Sequence, residues 1–110
     1  FNISRNGNMK RKDAKRSPSE ATIQRDIILY LNSLCPDVYA VKVILCNRRG
    51  VPDIICCYRG KFIGLEIKRA GMSVPKHQLF QGQLINHAGG LWYKVESVDD
   101  VQNILKTIKG

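Results

Sequence analysis

The stretch with the most chemical content runs from Pro52 to Lys68. Two acids, Asp53 and Glu66, stand there with Lys68 among Ile, Leu, Phe and Cys. Arg59-Gly60 reads as a turn between two strand-like runs. With a turn of two or four residues, counting outward sets Asp53 directly opposite Glu66, whereas a bulge or an odd-length turn breaks that relation. Directly opposed residues bring their Cβ atoms to about 4.5–5.5 Å. Two carboxylates that close repel each other unless a cation lies between them or one is protonated. Lys68, two residues beyond Glu66, shares its face. Oxygen ligands around open positions suit Mg²⁺ or Mn²⁺, and Glu20, projecting from the start of an apolar helix stripe, is placed to complete the acidic cluster. Spacing alone fits equally well a surface hairpin in which Glu66 and Lys68 form a solvated pair and Glu20 serves as a helix cap. A lone Glu-x-Lys is a frequent chance match.

The elements that must position these residues follow from pattern. Ser17-Pro18-Ser19-Glu20 reads as a helix start, with Ser17 as cap, Pro18 in the first helical position and Glu20 as the capping-box acid. Ile23, Ile27, Leu31 and Leu34 recur at helical spacing and Pro36 ends the helix. Val38 to Cys46 is rich in β-branched residues and predicts a strand. After the 47–50 loop, a second strand is expected from about Val51 to Tyr58 and a third from Lys61 to about Arg69. Pro75 opens a second helix carrying Leu79, Leu84, Ile85 and Ala88, closed by Gly89-Gly90. Leu91 to Val95 predicts a fourth strand, and Ser97 caps a last helix through Val101, Ile104, Leu105 and Ile108. The order is α-β-β-β-α-β-α, an α/β fold with a mixed central sheet flanked by helices.

A chain of 110 residues fits one domain, and one this small gains from burial against a partner copy. No apolar run approaches the length of a membrane span, and the N-terminus does not read as a signal peptide. Met9 is a candidate native start. Lys and Arg number 18 against 9 acids, for a formal charge of +9, which favours a polyanionic partner, nucleic acid or an anionic membrane surface. Residues 1–16 read as a basic, flexible tail in which Lys10, Arg11 and Lys12 are candidates for salt-sensitive phosphate contact. Residues 17–110 form the expected domain. Cys35, Cys46, Cys56 and Cys57 lack zinc-ligand spacing and read as reduced, intracellular cysteines acting as small hydrophobes. Cys56 and Cys57 should point to opposite sheet faces.

At these residues the chain resembles a known family. Pro52-Asp53 followed after a hairpin by Glu66-Ile67-Lys68 is similar to the PD-(D/E)xK nuclease signature, and more narrowly to the VRR-NUC (virus-type replication-repair nuclease) domain in its stand-alone phage form. The narrower likeness adds Glu20 with Gln24, Arg49 through Ile55, Gly60 through Arg69, Pro75-Lys76-His77-Gln78, His87 through Gly90, and Val95 through Val101. It spans roughly residues 17–108. The resemblance implies a restriction-endonuclease-like fold, a divalent metal, cleavage of branched or flap-bearing DNA in replication, repair or recombination, a homodimer, and the cytoplasm of a bacterial host if phage-encoded. It implies that Asp53, Glu66 and the Ile67 carbonyl bind Mg²⁺ or Mn²⁺, with Glu20 holding the metal directly or through water. Lys68 would orient or activate the attacking water, Gln78 would support it, and Gln24 would stand behind the ligands.

Other residues have simpler readings. Arg48 and Arg49 are expected at the rim as phosphate contacts, with Lys76 and Arg69 grouped beside them. His77 reads as a surface histidine at a helix start, although its place beside the motif also suits a base. His87 reads as a partner for a helix C-terminus, and Trp92 and Tyr93 as core or interface. Another branch of the superfamily, such as a Holliday-junction resolvase or a restriction enzyme, remains an alternative. So does a non-catalytic nucleic-acid-binding module. A DNA-packaging protein would explain the charge and leave the opposed acids unexplained.

Overall fold

The computed structural model describes residues 18–109. The basic 1–16 segment, including Lys10, Arg11 and Lys12, and the cap expected at Ser17 lie outside the described residues. Seven elements follow the expected order: α1 (Glu20–Ser33), β1 (Val38–Lys42), β2 (Ile54–Tyr58), β3 (Lys61–Ile67), α2 (Lys76–His87), β4 (Leu91–Val95) and α3 (Val98–Thr107). The strands lie in chain order in one mixed sheet, β1-β2-β3-β4. The first two pairings are antiparallel and β3–β4 is parallel, bridged by α2.

The hairpin between β2 and β3 has an even register. Tyr58 pairs with Lys61 and Ile54 with Leu65, around a turn in which Arg59 (φ 51°) and Gly60 (φ 79°) both take the left-handed conformation. That is the twist-matched two-residue hairpin connection. Its parity sorts every side chain of β3. Ile63, Leu65 and Ile67 are buried in the main core with Ile54 and Cys56 of β2, while Gly64 faces Ile85 of α2. Ile23, Ile27 and Leu31 of α1 and Val101 and Leu105 of α3 fill the other side of that core.

Several expectations need correction. Ser19, not Ser17, caps α1, accepting from the Thr22 N–H at 3.1 Å. Pro18 therefore precedes the cap, and Glu20 is the first helical residue, an acid against the positive helix end rather than the capping-box acid. β1 ends at Lys42 rather than Cys46. Val43 N–H still donates to the Asp53 carbonyl at 2.9 Å, but the next partner position is Pro52, which has no N–H to continue a ladder. The same proline delays β2 until Ile54, and β3 stops at Ile67. Of the apolar residues that α2 carries, Leu79 and Leu84 are 42% and 38% exposed. The helix instead seats Gly82 under the Trp92 indole, where a Cβ would lie 2.5 Å from the ring. Among the cysteines, Cys56 alone is buried, and burial pushes its thiol up to about 11. Cys57 next to it is exposed, as alternation requires.

Candidate active site

Glu66 is the one buried charged residue among those described, 1% exposed at the end of β3. A strand places it there because its neighbours Leu65 and Ile67 belong to the core and alternation sends Glu66 to the face that carries Gly64 and α2. Asp53, just before β2, falls opposite it by continuation of the register. The Asp53 Oδ2 accepts the Ile67 N–H at 2.9 Å, which fixes the Asp53 carboxylate against the end of β3. Lys68 continues the strand direction. Its N–H donates to the Val95 carbonyl at 3.0 Å, and its Nζ stands 3.7 Å from Glu66 Oε2, at the outer limit of an ion pair.

The electrostatics of this cluster are unfavourable to the bare carboxylates. Burial, more than anything else, lifts Glu66 from the ordinary glutamate range to about 8. The nearby Asp53 carboxylate raises it further, Lys68 pulls it down, and Glu20 adds a smaller upward push. Both Glu66 oxygens are buried without a hydrogen-bond donor, and so is Gln78 Oε1. Buried polar oxygens without partners are uncommon in folded proteins and point to a missing proton or cation.

The donors present would suit a hard cation. Asp53 and Glu66 offer anionic oxygens, the Ile67 peptide borders them, and Glu20 lies near enough for its charge to be felt. No group of three His, Cys, Asp or Glu that could hold a metal forms among the described residues. Mg²⁺ does not require one, since it is commonly held by one or two carboxylates and keeps several waters. The donor set fits Mg²⁺ or Mn²⁺ and lacks the nitrogen and sulfur ligands that zinc prefers.

The remaining expected residues are distributed around this centre. Gln78, in the first turn of α2, borders a groove that also reaches Asp53, Arg48 and His77. Arg48, Arg49, Arg69 and Lys76 are all exposed. Arg48 lines the groove, and Arg49 is its chain neighbour. Lys76 is the first residue of α2, and Arg69 follows Lys68. Gln24, one turn beyond Glu20, is half-buried, and no hydrogen bond among the described residues joins it to Asp53 or Glu66. His87 lies in the last turn of α2. Tyr93 packs against the core and Trp92 against Gly82.

Two glycines that hold the site together carried no signal in the spacing of charged residues. A Cβ on Gly64 would come 2.7 Å from Pro52 Cγ and 3.2 Å from Ile85 Cδ1. The absent side chain thus lets Pro52, and with it Asp53, lie flat across β3 beneath α2. Gly50 (φ 80°) approaches the start of α2 so closely that a Cβ would meet the His77 carbonyl oxygen at 2.8 Å and Cδ2 at 2.9 Å. His77 is therefore a packing partner of the 43–53 loop as well as an exposed histidine. Only the habit of glycine at tight backbone approaches hinted at either position.

No family model matches the sequence, and no curated protein does. Solved structures match in fold. One described as "VRR_NUC domain" is similar with a TM-score of 0.69 at 19% identity, over 84% of this chain and 100% of the other. A second, "VRR_NUC domain protein", gives a TM-score of 0.67 at 14% identity, over 83% of this chain and 88% of that one. With its α-β-β-β-α-β-α order and four-stranded mixed sheet, the chain has the restriction-endonuclease-like fold of VRR_NUC domains.

Proposed function

We propose that the chain is a Mg²⁺- or Mn²⁺-dependent endonuclease that hydrolyses phosphodiester bonds in structured DNA, such as branched, flap-bearing or junction substrates. The observation that carries this reading is the buried Glu66 carboxylate. Both its oxygens lack a donor, a second carboxylate opposes it across the hairpin, and a lysine stands 3.7 Å away. A structural strand gains nothing from that arrangement, because each buried, unsatisfied oxygen is destabilising. The VRR_NUC fold and the charge of +9 support a nucleic-acid substrate.

In this reading Asp53, Glu66 and the Ile67 carbonyl hold the cation, and Glu20 assists directly or through a water. When bound, the cation polarises the scissile phosphodiester and makes water a competent nucleophile at neutral pH. Lys68 orients the attacking water and stabilises the negative charge that builds on the phosphate oxygens. Gln78 Oε1, buried without a donor, is free to accept from that water or from Lys68. Arg48, Arg49, Arg69 and Lys76 bind flanking phosphates, and Lys10, Arg11 and Lys12 add affinity that salt weakens.

The test is cleavage of a panel of labelled branched DNAs with added Mg²⁺ or Mn²⁺ and with chelator. Asp53→Ala, Glu66→Ala and Lys68→Ala should each abolish cleavage while largely sparing DNA binding. Full activity in chelator, or an unchanged rate in the Lys68 variant, excludes the mechanism.

A further inference from the structure

We propose that the groove running from Asp53 along the 43–52 loop holds one unpaired nucleotide of the strand being cut, its base packed on Ile44 and Leu45. The inference rests on the nuclease reading above and adds to it a place for the substrate.

The loop begins just past the Val43–Asp53 hydrogen bond, where Pro52 ends the β1–β2 ladder. It encloses with α2 a groove of about 320 Å³, reaching from Ile44 and Leu45 past Arg48 and His77 to Asp53 and Gln78. That volume lies at the lower end of small-molecule sites and is too small for a double helix. On its rim Ile44 is 87% exposed and Leu45 92% exposed. The fold gives no reason for two adjacent large apolar side chains to stand in water, since neither contributes to the core.

The surrounding chemistry selects the occupant. Between Val43 and Pro52 the chain carries Arg48 and Arg49 and no acid. A partner that suits both features is apolar and flat where it meets Ile44 and Leu45, and anionic where it meets the arginines. A nucleotide has that division between base and phosphate. At the inner end Gln78 Oε1 is buried without a donor, and its two lone pairs leave one for the exocyclic amine of a base when the other accepts from the water or Lys68. The base must be unpaired, because a base stacked in duplex cannot leave the helix axis to enter a groove beside the reacting phosphate without being extruded. Proteins that bind unpaired strands combine a basic track with aromatic stacking platforms, and here the aliphatic Ile44 and Leu45 take the place of the aromatic rings. A second copy of the chain is a poorer occupant, because a two-fold contact through this loop would bring Arg48 and Arg49 of both copies together.

The experiment uses the full chain in chelator, so that the readout is binding rather than cleavage. A splayed-arm DNA carries 2-aminopurine either at the first unpaired nucleotide beside the branch or within the paired arm. Wild-type protein should change the fluorescence of the unpaired probe and leave the paired one nearly unaltered. Ile44→Ser with Leu45→Ser should remove most of that change and weaken binding about tenfold, at an unchanged melting temperature because both side chains are exposed. Three results overturn the proposal: a wild-type fluorescence response in the double variant, an equal response from both probes, or a double variant whose only change is from dimer to monomer in sedimentation. The nuclease reading fails separately. A chain that shows the expected probe response and cuts no DNA with Mg²⁺ or Mn²⁺ refutes the activity and keeps the groove, whereas a chain that cuts without the response keeps the activity and refutes the groove.

Discussion

Replacing Glu66 by glutamine should make the metal-free protein more stable at alkaline pH while ending its proposed activity. Glu66 is buried opposite Asp53, and its carboxyl is pushed up to about 8 from an ordinary value of 4.5. In the unfolded chain it ionises near the ordinary value, so between the two the folded state holds the extra proton. Stability contributed by the protonated form is fully present below the unfolded value and is lost as pH rises towards 8. At about 1.4 kcal/mol for each pH unit separating the two ionisations, the full loss is on the order of 5 kcal/mol, a large share of the stability of a small domain. Glutamine matches the shape of the protonated acid and cannot ionise. The difference between variant and wild type should therefore be small near pH 4.5 and grow in favour of glutamine up to about pH 8, then level off. Urea unfolding in chelator across that range, followed by the fluorescence of Trp92, measures it. Mg²⁺ or Mn²⁺ added to the wild type at pH 8 should recover much of the deficit, because a ligand bound only by the folded chain stabilises it. A variant that follows the wild-type pH dependence, or is the less stable protein at pH 8.5, refutes the reasoning.

Three further outcomes follow from the same geometry. Gly64→Ala should destabilise the protein by about 1–3 kcal/mol, because its Cβ would press on Pro52 and Ile85. It should reduce cleavage beyond the fraction unfolded, measured as kcat on a branched substrate well below the melting temperature. Gly50→Ala should leave the core intact and push the 43–53 loop from the start of α2, given the positive φ and the 2.8 Å approach to the His77 carbonyl. Faster amide hydrogen exchange confined to that loop is the readout, and unchanged exchange counts against the packing role. Removing residues 1–16 takes away Arg5, Lys10, Arg11, Lys12, Lys15 and Arg16, so DNA affinity should fall and its dependence on salt should flatten. An identical salt slope after truncation removes the tail from the binding surface.

The geometry of the two opposed acids was legible because one local signal governed it. Arg59-Gly60 specifies a short turn, and once the turn length is even, the opposition of Asp53 and Glu66 follows by counting. What could not be read depended on a partner elsewhere in the chain. Val43 to Cys46 has the composition of a strand, yet its pairing ends because the opposite residue is Pro52, a fact absent from the run itself. Ser17 and Ser19 compete for one cap, and the choice of Ser19 moves Glu20 from the third helical position to the first. The apolar residues of α2 did not show where the helix packs, because the contact is made where Gly82 leaves room for Trp92. Gly64 and Gly50 act through the side chains they lack, which no count of charged or apolar residues reveals.

The register that builds the site is the same one that builds the core, and this explains how a chain of 110 residues tolerates a buried, unsatisfied acid. Along β3 and the residue that follows it, Ile63, Leu65 and Ile67 alternate with Gly64, Glu66 and Lys68. Slipping the strand by one residue would drive Glu66 and Lys68 between α1 and the sheet and turn Ile67 into the site. Burying those charges in the main core would be far worse than leaving Glu66 against Asp53, where Lys68 and a cation can balance it. The apolar face therefore enforces the placement of the acids, and the unfavourable pair is held together by packing in which it takes no part. A local destabilisation that the rest of the fold overrides, and that a bound cation would relieve, is what the proposed hydrolytic centre requires.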